Sequence, residues 1–543
     1  MSQDSDDGLP SGWVSAPLAE LCQINPALDR CVINDAIEVN FVPMRAVETE
    51  GAGLVRPELR PYGEVKKGYA SFLSGDVIMA KITPCMENGK TTVVPELSGS
   101  VCFGSTEFHV IRPETGVLAR WIARFLVQHD VRRNAQRAMT GGVGQMRVPA
   151  AFLESLRVPI VSTTEQERIT EALDELLSDL DAGVAALERV RDKLKFYRAA
   201  ILKVAVEGAL SAKWRTDHPQ TGPASELLTR ILAERRRRWE EQQLRKFKEK
   251  GRELPKNWKA KYKQPASPDT ADLPPLPEGW CWASMDQLAW SEGYGTSVKC
   301  RETNAGLAVL RIPNIIAGSL SLDDLKFAPP TYVERDDDLV GVGDLLIVRT
   351  NGSRMLIGRG AMVRHAPTAP LSFASYLIRL RLVPDPSLLD WLALVWDSAL
   401  IRRWIEARAA TSAGQYNISL GVLKTLAVPL PPTVEQKPIV EMAEGQLSLI
   451  DHLESDLAAK LISAQALRQS ILREAFSGKL VPQDPNDEPA SELLKRIAVE
   501  REQRVRDATA AKKVSGHKPQ RAAKTRGKST NKKEIGHGRI ADW

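Results

Sequence analysis

Residues Glu165 to Glu207 read EQERITEALDELLSDLDAGVAALERVRDKLKFYRAAILKVAVE, with Leu173, Leu180, Leu187, Leu194 and Ile201 at intervals of seven. Leu176, Val190, Tyr197 and Val204 follow three positions after four of these, the spacing of a coiled-coil seam. A helix of this length is a rod of about 65 Å at roughly 1.5 Å per residue. A second such stretch runs from Glu435 to Ser477, with Leu447, Ile450, Leu453, Leu457, Leu461, Ala464, Leu467 and Ile471 at similar spacing. Gly208 and Gly478 stand where such helices would end. A single apolar seam cannot face water, so each rod needs a partner, and the copy in the same chain is the nearest. The expectation is an antiparallel intramolecular pair, which would carry the globular segments before each rod at its opposite ends.

Outward from the rods, the chain repeats itself. Leu9-Pro10-Ser11-Gly12-Trp13 recurs as Leu276-Pro277-Glu278-Gly279-Trp280, and Gly75-Asp76-Val77-Ile78 as Gly343-Asp344-Leu345-Leu346. Phe103-Gly104-Ser105 returns as Phe373-Ala374-Ser375, and Gly144-Gln145 as Gly414-Gln415. Val158-Pro159 with Glu165-Gln166 matches Val428-Pro429 with Glu435-Gln436, and Pro223-Ala224-Ser225-Glu226-Leu227-Leu228 matches Pro489-Ala490-Ser491-Glu492-Leu493-Leu494. So many collinear matches mark a duplication. The halves diverge most between the matches, as in Lys81 to Lys90 against Arg349 to Arg359. One scaffold presenting two different surfaces fits this pattern; a duplicated domain that drifted without functional meaning is the alternative.

Within each half, short apolar runs bounded by turn residues, such as Asp76 to Ile82, Thr91 to Val94 and Phe108 to Ile111, read as strands. Leu118 to Ala138 and Leu388 to Ala409 have helical spacing and carry Trp121, Phe125, Trp391, Trp396 and Trp404, read as core aromatics. The fold class is therefore mixed α+β: two α/β domains separated by two long helices that form an antiparallel intramolecular coiled coil, with a pseudo-twofold internal repeat. The expected boundaries are a first domain at 1–164; a central helical region at 165–263, comprising the long helix 165–207 and a short basic helix 225–250 capped by Ser225; a Pro-rich linker and second domain at 264–434; a C-terminal helical region at 435–505; and a basic tail at 506–543, expected to be disordered because it has too few apolar residues to fold alone.

At 543 residues the chain exceeds one compact core, and about three to four domains are expected. No apolar run approaches a membrane span, and the acidic start Met1 to Gly8 is unlike a secretory leader, so a cytoplasmic location is expected. Cys22, Cys31, Cys85, Cys102, Cys281 and Cys300 have no metal-ligand spacing and are read as reduced and structural. The net charge of +6 is unevenly placed: Arg235 to Lys263 holds thirteen Lys/Arg against four Asp/Glu, and Ala508 to Trp543 ten against two. Either cluster could hold phosphates or merely solvate an exposed segment.

Catalytic constellations are missing from the sequence. Gly89-Lys90-Thr91 imitates the end of a P-loop, but Pro84 stands where that motif requires its first glycine. No H-E-x-x-H and no G-x-G-x-x-G after a strand occurs, and the seven histidines are dispersed. The residues offer binding surfaces; an enzyme with an unrecognised site and a protein-only coiled-coil adaptor remain as other readings.

The segments Gly75 to Lys90 (GDVIMAKITPCMENGK), Gly343 to Gly352 (GDLLIVRTNG) and Ala413 to Pro432 (AGQYNISLGVLKTLAVPLPP), with Glu435-Gln436 and both PASELL blocks, resemble the specificity subunits of Type I restriction-modification systems. The resemblance runs to about Arg506. It implies two target-recognition domains, 1–164 and 264–434, each reading half of a split sequence in double-stranded DNA. The helices would act as a spacer and as a platform for two modification (methyltransferase) subunits, alongside two restriction (nuclease/translocase) subunits. It implies no cofactor on this chain: S-adenosylmethionine, ATP and Mg would serve the partners. Base contacts do not transfer within the family. Polar and basic residues in turn-like segments are the candidates: Lys81, Asn88, Lys90, Gln145 and Arg147 in the first domain, and Arg349, Asn351, Arg354, Gln415, Tyr416 and Asn417 in the second.

Overall fold

The computed structural model describes residues 8–515 except 28–33, 52, 55–56, 98–100, 143, 254, 303–305, 317, 334–337 and 413, and only the backbone of 412, 508 and 510–515. Its longer helices are α1 (Ala119–Leu126), α2 (His129–Arg137), α3 (Thr163–Val206), α4 (Ala224–Glu249), α5 (Pro386–Trp396), α6 (Ala399–Arg408), α7 (Thr433–Phe476) and α8 (Ala490–Ser515). The chain divides into a first unit within 1–183 and 463–543, and a second unit formed by Val184–Ile462. Each unit therefore holds the beginning of one long helix and the end of the other.

The two long helices pack together within each unit. In the second, Leu187, Leu194 and Ile201 of α3 meet Ile450 and Leu457 of α7, and Arg198 pairs with Asp451 and with Glu454 (3.3 Å). In the first, Arg468 pairs with Asp181, and Leu472, Ala475 and Phe476 join Ile169, Leu173 and Leu177 in the core. Partner numbers fall along α7 as they rise along α3, so the pairing is antiparallel. Leu180, Leu461 and Ile471 are half-buried. The row three positions on lies differently: Leu176, Val190 and Tyr197 are exposed, as are Leu453 and Leu467. Two helices bury only a narrow strip between them, and the second row turns outward.

The first unit contains β1 (Val14–Pro17), β2 (Cys22–Ile24), β3 (Val77–Ala80), β4 (Thr91–Val93), β5 (Phe108–Pro113) and β6 (Arg157–Ile160). An antiparallel sheet runs β2-β5-β3-β4, and β1 pairs with β6. A second sheet orders Glu58–Pro61, Glu38–Val42, Cys102–Gly104 and Ala70–Phe72, with its central pair parallel. The second unit repeats the plan with β7 (Cys281–Ser284), β8 (Ala289–Tyr294), β9 (Asp344–Val348), β10 (Thr350–Asn351), β11 (Gly360–Met362), β12 (Leu377–Leu382), β13 (Ala410–Ser412), β14 (Gln415–Asn417) and β15 (Ala427–Leu430). Its main sheet runs β8-β12-β9-β11, and β7 pairs with β15. Ala308–Leu310 again pairs in parallel, here with Leu371–Phe373.

The repeated Gly-Asp step has one cause in both units. Gly75 and Gly343 turn at φ 84° and 88°, where a side chain is strained. The next aspartate is buried and binds an arginine on the neighbouring strand through both oxygens: Asp76 with Arg112 (2.7 and 2.7 Å) and Asp344 with Arg381 (2.5 and 2.8 Å). The expected single helices 118–138 and 388–409 are each broken in two, at Gln128 and Ser398. These residues take extended ψ angles of 141° and 155°, which turns the second helix back onto the core. Trp121 and Phe125 are buried in the first unit; in the second, Trp391 and Trp396 are buried and Trp404 packs half-buried against that core.

The other repeated motifs converge on one joint per unit. The indole N–H of Trp13 donates to Glu165 (3.1 Å), and that of Trp280 to Glu435 (2.9 Å). Trp13 meets Trp121 edge-on at 5.8 Å, Trp280 meets Trp391 at 5.5 Å, and the second indoles donate to Pro159 and Pro429. The glycines ending the long helices, Gly478 and Gly208, lie in the left-handed region at φ 69° and 70° against Pro10 and Pro277. Ser225 does not cap α4. Its first free N–H, that of Ala224, donates instead to the carbonyl of Gly279 (2.7 Å), as Ala490 does to Gly12 (2.9 Å). A tertiary acceptor thus replaces the side-chain cap.

Candidate nucleic-acid interface

In each unit the strand after the Gly-Asp turn runs into the segment that differs most between the repeats. In the first, this segment lies against the 140–148 hairpin: Thr83 N–H donates to Met146, and Val148 N–H to the Lys81 carbonyl. Thr140 and Arg147 close the hairpin by exchanging backbone bonds. Lys81 is therefore brought beside the hairpin that carries Gln145 and Arg147, while Asn88, whose backbone carbonyl accepts from Glu50 N–H (3.0 Å), and Lys90 lie further along the same divergent segment.

They are not equally available. Lys90 donates its ammonium to the carbonyls of Met44 (3.1 Å) and Val47 (2.8 Å), so it ties a loop down. Arg147 makes a two-pronged bond to Glu107 (2.9 and 2.7 Å), which holds the Glu107 carboxyl below its ordinary range. Lys81 is half-buried, and Asn88 and Gln145 are exposed.

The second unit organises its candidates as a small sheet, β10-β14-β13, in which Asn351 faces Tyr416 and Thr350 faces Asn417. Arg349 stacks its guanidinium on Tyr294, 4.6 Å from the ring centre. Arg354 donates to the Glu406 backbone carbonyl (3.0 Å), and the Asn351 side-chain Oδ1 accepts from Ser353 N–H (2.8 Å). Tyr416 packs on the core, Asn417 is half-buried, and Gln415 is exposed.

Reading the residues alone missed Tyr294, Glu107 and Glu406, which position the candidate cations. They come from distant segments with no shared motif, so only the fold brings them near. Cys22, Cys85, Cys102, Cys281 and Cys300 are free thiols, and Cys31 lies outside the described residues. Among the described residues no group of three or more His, Cys, Asp and Glu side chains could hold a metal, and no helix is long and apolar enough to cross a membrane. The basic stretch after Ser515 also lies outside them.

Of the solved structures, a chain from work on complex assembly and conformational transition of the Type I R-M system matches with TM-score 0.57 at 18% identity, over 87% of this chain and 99% of that one. The fold is thus one found in a Type I restriction-modification assembly. In sequence, the chain is similar over most of its length to specificity subunits of Type I restriction enzymes. It is 28% identical over 498 residues to the EcoEI specificity subunit of Escherichia coli, covering 83% of this chain and 80% of that protein. It is 27% identical to the EcoAI subunit of the same species (82% and 79% covered), and 26% to the EcoKI subunit of strain K12 (91% and 96%). No family model matches the chain.

Proposed function

We infer that this chain is the specificity subunit of a Type I restriction-modification system, itself non-catalytic, reading a bipartite double-stranded DNA target through its two domains. The observation that carries this is the duplication of one sheet whose adjoining segments bear different polar residues: exposed Asn88 and Gln145 in one unit, exposed Gln415 and half-buried Asn417 in the other. Exposed amides of this kind suit adenine edges, and nearby cations suit guanine or phosphate.

The helices serve as spacer and platform. Val190, Phe196, Tyr197, Leu449, Leu453 and Ile462 of the second unit are all exposed. Apolar side chains in such number on one helix pair favour a protein partner, and the modification subunits are the partners of this reading. Methyl transfer from S-adenosylmethionine and ATP- and Mg-dependent cleavage belong to the partner subunits.

The test is to map methylated bases made by the complex. Removing one heptad from both α3 and α7 shortens them by about 10 Å, or about 3 bp at roughly 3.4 Å per step. The methylated motif is expected to keep both halves and lose about that much gap. An unchanged gap rejects the spacer; methylation without a split motif rejects the specificity reading.

A further inference from the structure

The basic segment after α4 does not stand free in solvent. Trp258 stacks on Trp239 of α4 (5.8 Å, 22° between planes), and Tyr262 meets Trp239 edge-on at 5.3 Å. Arg235 donates to the Tyr262 hydroxyl (2.8 Å) and to the Ala289 carbonyl (2.9 Å), fastening this fold-back to β8. Between α4, the fold-back and β8 lies a cleft of ≈ 700 Å³.

The cleft is cationic. Arg235, Lys246, Lys261, Lys263, Arg379 and Lys424 line it, against two carboxylates, Glu292 and Asp338. Both carboxylates are engaged within it, by Lys424 (2.8 Å) and Arg379 (3.8 Å). The arginine run is largely neutralised on its own helix: Arg236 by Glu240, Arg237 by Glu234 and Glu241, and Arg238 by Glu234. Lys246, Lys261 and Lys263 are exposed, and no ion pair joins them to a carboxylate among the described residues. Within the lining of the cleft, the uncompensated charge is therefore on these three lysines.

The aromatic rings point to the kind of ligand. Trp239 is covered by Trp258, Arg238 lies over Trp290, and Arg349 over Tyr294. With these faces occupied, the cleft offers charge more than stacking platforms, which suits phosphates over unstacked bases. It is also continuous with the reading surface: Tyr294 lines the cleft, carries Arg349 on its ring, and accepts from Leu420 N–H (3.5 Å).

We propose that this cleft holds backbone phosphates of the DNA beside the half-site read by the second unit. The proposal rests on the specificity-subunit reading and adds a sequence-independent grip to one half of it. The test uses the full chain co-purified with its modification subunits, wild type against the combined variant Lys246→Gln, Lys261→Gln and Lys263→Gln. DNA affinity is measured against salt, with hydroxyl-radical footprinting on a duplex carrying the methylated motif. The log-log salt slope is expected to fall by about 3, roughly 1 per lost phosphate contact. Sugar protection beside that half-site should disappear while sequence preference is kept. An unchanged slope and footprint overturn the proposal, as does a variant that keeps its DNA affinity but loses its co-purifying subunits. A wild-type complex with no sequence preference overturns the specificity reading together with it.

Discussion

The two joints that hold the long helices to their domains are built from the same motifs but balance their buried glutamate differently. Glu435 has no exposed surface and accepts from Trp280, from Ser211 (2.6 Å) and from Arg215 (2.5 Å). Glu165 accepts from Trp13, and burial pushes its carboxyl above the ordinary range. The nearest arginine in the first unit, Arg168, instead holds Asp487 at the rim (2.5 Å). The glutamine beside each glutamate differs too. Gln166 accepts from Leu118 N–H (2.9 Å), whereas in the second unit Asp385 takes the equivalent N–H of Leu388 (3.1 Å), and the Gln436 side-chain oxygen has no partner among the described residues. A duplicated motif thus preserves shape while its electrostatics drift.

The same substitution at the two glutamates should break this comparison most strongly. Glu435→Gln removes the buried charge that pairs half-buried Arg215 and should cost about 3 kcal/mol, the lower end of the range for halving a buried pair, because Arg215 still reaches solvent. Glu165→Gln keeps an oxygen for the Trp13 indole and should cost under about 1 kcal/mol. Hydrogen exchange resolved by unit measures each locally; equal losses would show that Arg215 is incidental. Next, Gly208→Ala and Gly478→Ala should each cost about 2 kcal/mol, since both combine a left-handed backbone with a collision against a proline. Here the units should agree, and a clear difference would mean the joints are not equivalent.

The candidate interfaces invert the pattern: each follows the Gly-Asp strand of its unit, and their chemistry diverges. Gln145→Ala should relax discrimination only at the first half-site and Gln415→Ala only at the second, each by about 1 kcal/mol or somewhat more if the amide is bidentate to a base. Competition binding against single-base variants of the methylated motif reads this. Lys90→Met should lower the stability of the first unit with little change in the salt slope of DNA binding, because its ammonium is spent on Met44 and Val47.

Much of this was legible beforehand, for physical reasons. The heptad leucines announced α3 and α7, and the pairing followed because one seam needs another. The repeated Leu-Pro-x-Gly-Trp, Glu-Gln and Pro-Ala-Ser-Glu-Leu-Leu blocks marked the duplication, though only the fold showed that they meet in one place. The second seam row was misplaced because spacing cannot tell a two-helix strip from a wider bundle; Tyr197 and Leu453 satisfy the pattern and still face outward. Ser225 looked like a cap because its side chain suits one, and the acceptor came instead from Gly279, more than fifty residues away. At the candidate interface, residue type identified Lys90 and Arg147 as cations but not that Val47 and Glu107 already engage them.

The smallest expected difference between the units is a response to acid. His109 on β5 faces Met79, in the place where the second unit has Ile378 facing Ile347. Its ring is buried, with Nε2 2.8 Å from the Val148 carbonyl and Nδ1 3.1 Å from the Asn25 amide nitrogen, so the neutral tautomer donates to Val148 and accepts from Asn25. Burial holds its pKa below the ordinary 6.5, and the nearby Lys81 acts in the same direction. As pH falls below that value, the unfolded chain takes up a proton that the folded ring resists. The stabilisation is therefore full above 6.5 and is lost on acidification toward the lower folded pKa. Because Val148 anchors the 140–148 hairpin, moving from pH 7.5 to 5.5 should loosen exchange protection there and weaken discrimination at the first half-site, whereas in the second unit the Asp397 carboxyl, pushed up to about 6 by burial, takes up its proton over the same range and acts in the stabilising direction. His109→Gln should remove the acid loosening of the 140–148 hairpin. Equal acid sensitivity of both units in the wild type would show that this histidine does not set it.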